Sequence, residues 1–212
     1  MKRKHIWAFT ALAVIITLLP SCGVSSQSKA VDLGLSVLWA NENVGANCES
    51  DFGSYLAWGE TWEKDHYFYD NYQFTEPGDG QSTVDIGECI SGTEYDMATA
   101  LWGDGWRLPT ADEMKELIEK CVWEWETKSD VLGVKVTGPS GKSIFLPAGG
   151  ENGDLPDEGA ECSYWTGTLS RGIGRTAVSL LCHYDAETEE TTLRTFGTYK
   201  VFGLLVRPVK DK

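Results

Sequence analysis

Three groups of residues have the types and spacing to do chemistry. Between Thr61 and Gly80 the chain gathers Trp62, Tyr67, Phe68, Tyr69 and Tyr72, and flat aromatic faces suit the C–H surfaces of sugar rings. The competing role for such a loop is to pack down onto its own domain. Between Glu151 and Glu161, ENGDLPDEGAE offers Glu151, Asp154, Asp157 and Glu158. Hard cations such as calcium want several oxygens from one loop, and a solvated acidic surface is the alternative. Cys182 and His183 are adjacent, but neighbours along a strand point to opposite faces, so they make a poor thiol–imidazole pair. The 32 acidic residues show no spacing that singles out two carboxylates for glycoside hydrolysis.

These groups need elements to position them, and the best marked is WGDGWRLPTADEMKELIEKC, Trp102 to Cys121. Thr110 is a good N-cap, and Glu113 three residues later completes a capping box. Asp112 and Glu113 in the first turn and Lys120 in the last follow the helix dipole. Met114, Leu117, Ile118 and Cys121 form one apolar stripe. Pro109 holds Leu108 extended ahead of the helix. Arg107 pairs with a buried carboxylate or backbone carbonyls in this reading, Trp102 and Trp106 fill the core beside the helix, and Asp104 makes a glycine turn. A binding surface on Trp102, Trp106 and Arg107 is the less favoured role.

Elsewhere, Val31 to Val44 reads as strand, turn and strand, with Leu33, Leu35, Val37 and Trp39 inward. Gly53 to Glu60 is a short strand, and Thr93 caps a brief helix through Leu101. Strands are predicted at 122–127, 131–136, 142–146, 163–169, 177–184 and 203–209, with Asp185 to Thr192 as a solvated hairpin tip. No internal repeat or second domain boundary is visible.

The start of the chain is an address. Lys2, Arg3 and Lys4 precede an uncharged apolar run, Ile6 to Leu19, the pattern of a secretory signal peptide. Leu19-Pro20-Ser21-Cys22 resembles the lipobox of bacterial lipoproteins, which implies lipidation at Cys22. Residues 1–22 are then the leader, 23–30 a polar tether, and 31–210 one domain. Losing the three basic residues of the leader takes the formal charge from −14 to −17. That balance disfavours nucleic acid as a partner. Five cysteines remain after Cys22 without a CxxC spacing, so two disulfides and one free thiol are expected in an oxidising compartment.

The ordered motifs VDLGLSVLWANENVGA, YLAWGE, DMATALWGDGWRLPTADEMKEL, VTGPSGKSIFLPAGG, SYWTG and VRPV resemble the Fibrobacter succinogenes major paralogous domain family of Bacteroidetes lipoproteins. The match runs from about residue 31 to 209. WRLPT-x-x-E alone also resembles the formylglycine-generating enzyme superfamily and other C-type-lectin-like folds. The resemblance implies an α+β, C-type-lectin-like domain with two helices packed on irregular antiparallel sheets and termini close together. It implies no assigned activity. The calcium motifs of true C-type lectins are missing, since Leu155-Pro156-Asp157 keeps only the Pro-Asp. The formylglycine-generating reading lacks a paired cysteine near Cys182. The expected function is therefore a lipid-anchored outer-membrane protein, on the periplasmic or the surface side, that binds a glycan or an envelope or host protein without catalysis. No cofactor is expected beyond a possible calcium ion. The alternatives are a secreted, carbohydrate-active or oxidative enzyme on the same scaffold, or a subunit of a surface assembly.

Overall fold

A computed structural model of the chain describes residues 30–78, 80–103, 105–151, 160–172 and 174–212. The leader, nearly all of the tether, Asp104, Asp154, Asp157 and Glu158 lie outside the described residues. Among the described residues the architecture is α+β, with two helices and three antiparallel sheets.

The first sheet is small and joins distant parts of the chain. β1 (Ala30–Val31), β2 (Leu38–Ala40), β3 (Trp106–Arg107) and β10 (Val209–Lys210) lie in the order β1-β2-β10-β3. Val209 stands between Trp39 and Arg107, and Lys212 pairs with Asp32 at 2.9 Å. The two ends of the folded part therefore meet. Leu33, Leu35, Val37 and Trp39 are buried as expected.

The second sheet runs β4 (Val122–Lys128), β5 (Val131–Thr137) and β6 (Ser143–Pro147). Its first hairpin turns on Ser129 and Asp130, both at positive φ, the pair of conformations that a two-residue turn needs to match strand twist. The third sheet runs β7 (Ala160–Leu169), β8 (Thr176–Asp185) and β9 (Glu190–Tyr199). β9 was not foreseen. Residues 53–60 form no strand, making only one bridge, Leu56 to Leu204.

Helix α2 (Ala111–Lys120) carries the expected capping box at Thr110 and Glu113 and buries Met114 and Leu117. Helix α1 (Met97–Trp102) is capped by Asp96 rather than Thr93. The buried Asp96 carboxylate accepts from Ala98 N and Thr99 N through Oδ1, and from Gly92 N and Leu108 N through Oδ2. Thr93 instead donates its hydroxyl to the Ile90 carbonyl.

One core lies between α2 and the sheets, around Trp39, Leu117, Val134, Tyr164 and Leu205. A second surrounds Trp58, Met97, Leu108 and Trp165. Buried Arg207 ties segments together by donating to Asn43 Oδ1 and to the carbonyls of Ala40 and Phe145. All three partners are neutral, and burial lowers its proton affinity. Cys48 is disulfide-bonded, and Cys89, Cys121, Cys162 and Cys182 carry free thiols. The expected two bridges and single free thiol are not formed here.

Candidate functional site

The loop from Thr61 to Gly80 is fastened from beneath by its own polar side chains. Glu60 and Lys64 form an ion pair with side chains 0% and 5% exposed. Glu60 also accepts Gln73 N at 2.6 Å. Lys64 Nζ donates to the Asn71 carbonyl at 2.7 Å and lies over the Tyr72 ring. Tyr72 donates its hydroxyl to the Trp58 carbonyl at 2.7 Å, and Tyr67 donates to the Tyr55 carbonyl. A Cβ at residue 203 would sit 2.6 Å from the Tyr67 ring, so Gly203 is what lets that ring lie flat against the chain.

These contacts correct the sugar-platform expectation for two residues. Tyr67 and Tyr72 are buried with Phe74, Ala57 and Val201 in a third core cluster, and burial pushes both phenols up. They hold the loop and do not face a ligand. Tyr69 is half-buried against the same cluster, with Arg175 close enough to act on its phenol. Trp62, 47% exposed, is the predicted aromatic that faces outward. Phe68, 65% exposed, does so too.

Thr61 and Glu63, on either side of Trp62, line an open cleft of about 440 Å³. Val44, Gly45, Ser54 and Leu56 line another part, and Leu101 and Trp102 come from the end of α1. Gly45 is at positive φ, and a Cβ there would collide with Ser54 Oγ at 2.2 Å, so the approach of these two segments depends on glycine. Trp102 packs edge-on against Trp106, centroids 5.4 Å apart. Trp102 thus serves the structure and also a wall of the cleft. Sequence reasoning missed Ser54, Glu63 and Leu101. Leu101 stands out only in the fold, 45% exposed near the end of α1.

Arg107 behaves as expected, with a forked ion pair to Glu113 at 2.7 and 2.9 Å and a further contact to Asp211. The hydrogen bond that Arg107 donates to Glu113 leads among the causes that raise its proton affinity. A second, shallower concavity of about 340 Å³ lies along α2 and Ser36. Among its charges, Lys120 pairs with Glu116 at 2.8 Å and Lys115 with Glu119 at 3.7 Å.

Of the proposed calcium ligands, only Glu151 is described; burial, with the charge of Glu161, pushes its carboxyl up. Among the described residues no group of three His, Cys, Asp or Glu side chains is placed to hold a metal. Cys182 is fully buried in the core while His183 turns toward Glu161, so the two do not form a catalytic dyad.

No family model, curated protein or solved structure matches the chain.

Proposed function

We propose that this chain is a lipid-anchored outer-membrane protein of the bacterial envelope whose domain, C-type-lectin-like in kind, binds a glycan without transforming it. One observation carries the reading: exposed Trp62 lies in sequence between Thr61 and Glu63, which line a cleft that Trp102 also walls, on a loop fastened from below. A loop already ordered before binding loses little conformational freedom when a ligand arrives. Leu101 and Trp102 supply apolar wall for the C–H face of a sugar ring. Ser54, Thr61 and Glu63 supply acceptors and donors for its hydroxyls. The anchor rests on the Leu19-Pro20-Ser21-Cys22 sequence, and the lectin-like assignment on the ordered motifs that resemble the major paralogous domain family.

An enzyme fits this cleft less well. Glu63 is the only ionisable residue among its described lining, whereas glycoside hydrolysis ordinarily uses two carboxylates. Calcium enters this reading only through Glu151, Asp154, Asp157 and Glu158.

A glycan array probed with the mature chain, followed by thermal shift, tests the proposal. A saturable rise in melting temperature with an array hit, lost in Trp62→Ala, supports it. Silence across the array with a cooperative melt contradicts it and turns the search to protein ligands. Chelator in the same assay tests calcium, since a melting temperature unchanged by it argues against a bound ion.

A further inference from the structure

Cys162 and Cys182 stand directly opposite each other in the antiparallel ladder of β7 and β8. Cα atoms at opposed positions lie about 4.5 or 5.5 Å apart, according to the kind of pair, and a disulfide spans either distance. Opposed side chains share a face of the sheet, and here both enter the same core cluster at 0% exposure. The Cys162 thiol donates to the Leu146 carbonyl at 3.5 Å, and Cys182 is close enough to act on its ionisation. Register is held on both sides, by Glu161 opposite His183 and Ser163 opposite Leu181.

We propose that Cys162 and Cys182 are a built disulfide site, closed across β7 and β8 by exchange with a disulfide-bearing oxidant. The structure, with both thiols free, is then the dithiol form. In the first step one cysteine, as thiolate, attacks a sulfur of the oxidant's disulfide. A mixed disulfide forms and one oxidant thiol leaves. In the second step the other cysteine, as thiolate, attacks the Sγ already bonded, and the second oxidant thiol leaves. The protein loses two S–H bonds and gains one Sγ–Sγ bond. The oxidant's disulfide receives the two electrons and two protons and becomes two thiols.

Burial sets when this happens. It pushes the Cys162 thiol far up, which withholds the reactive thiolate in the folded chain. Exchange therefore belongs to folding, before the two strands are sealed into the core. Cys89, which is exposed and bridges only to Thr168, has no opposed cysteine and stays a free thiol.

The state of the pair in the cell rests on the envelope reading above; the site itself does not, so the test has two arms. In the first, the full chain is reduced, unfolded and refolded in a mixture of reduced and oxidised glutathione, then mapped by mass spectrometry without reduction. The expected result includes a cross-linked peptide pair containing Cys162 and Cys182, two hydrogens lighter than the free peptides. The melting temperature should stand roughly 5–15 °C above that of the dithiol form. Recovery of both cysteines on separate, glutathione-capped or alkylated peptides overturns the proposal. In the second arm, the chain made with its own leader in a bacterial host is alkylated before any reduction. A bridge in both arms supports the site and the envelope address together. A bridge on refolding with free thiols from cells supports the site and overturns the address.

Discussion

Lys64 reaches back four residues to Glu60, and both members of the ion pair are sealed from water beneath the loop that carries Trp62. The pair is supported by Gln73 N on the acid and the Asn71 carbonyl on the base. It turns an irregular, aromatic segment into a fixed one. Removing one partner leaves the other charge buried without compensation, which costs about 3–5 kcal/mol. Lys64→Met should lower the unfolding free energy by that order in urea denaturation, and Glu60→Gln by less, because the amide oxygen still accepts Gln73 N. Loss below about 1 kcal/mol in Lys64→Met would show that the loop is held mainly by its tyrosines.

Asp96 predicts a graded result. Its carboxylate satisfies four backbone N–H groups, two on each oxygen. Each buried N–H left without a partner costs about 1–3 kcal/mol. Asp96→Ala should therefore destabilise by about 3 kcal/mol or more. Asp96→Asn, with the amide oxygen toward Ala98 and Thr99, should recover roughly half of the loss. Equal losses in the two variants, measured by chemical denaturation, would count against the division between the two oxygens.

Glu116 predicts a pH dependence. Burial opposes its charge, but hydrogen bonds from Lys120 and Ser36 overcome this and hold the carboxyl down to about 2. A carboxyl depressed in the folded state stabilises above its unfolded value, 4.5, and that contribution disappears as pH falls toward 2. The Glu116 side chain is 17% exposed but its partner Lys120 is 57% exposed, so solvent screening of the pair limits the effect to about 1 kcal/mol or less. The stability of the wild type should drop relative to Glu116→Gln between pH 4.5 and 2. Parallel curves for the two proteins through that window would contradict the assignment.

The proposed lipidation at Cys22 would convert its sulfur to a thioether. Mass spectrometry of the N-terminal peptide from membranes should find Cys22 as the first residue, carrying a diacylglyceryl group. A peptide beginning elsewhere, or a Cys22 that carries no lipid, would contradict the anchor.

Local signals account for what was legible in the chain. The capping residues and apolar stripe of α2 are encoded within a dozen residues, and the structure follows them closely. The strands of the second sheet declare themselves by alternation and turn residues. β9 was harder, because it is an edge strand with mostly exposed side chains. Its signal was the recurrence of β-branched Thr191, Thr192, Thr195 and Thr198 rather than a hydrophobic period. Thr93 was the expected cap of α1, but Asp96, three residues on, takes that place. Leu108 N, from beyond the helix, helps decide in favour of Asp96, and no local rule contains that contact. The aromatic loop was legible as a unit, but which rings turn inward was not. Tyr67 and Tyr72 point down because backbone carbonyls of 55 and 58 wait there. The cleft draws on Val44, Gly45, Ser54, Leu56, Thr61, Glu63, Leu101 and Trp102, so only the fold assembles it.

The central claim is that this cleft takes up a glycan, and Leu101 gives the most direct access to it. The side chain is 45% exposed and lines the cleft, so an arginine there fills the space without entering the core. Isothermal titration of an array-selected sugar into the wild type and Leu101→Arg is the deciding measurement. At least a tenfold loss of affinity, about 1.4 kcal/mol, with an unchanged melting temperature is the predicted result. Undiminished affinity in Leu101→Arg would place the ligand elsewhere and contradict the account.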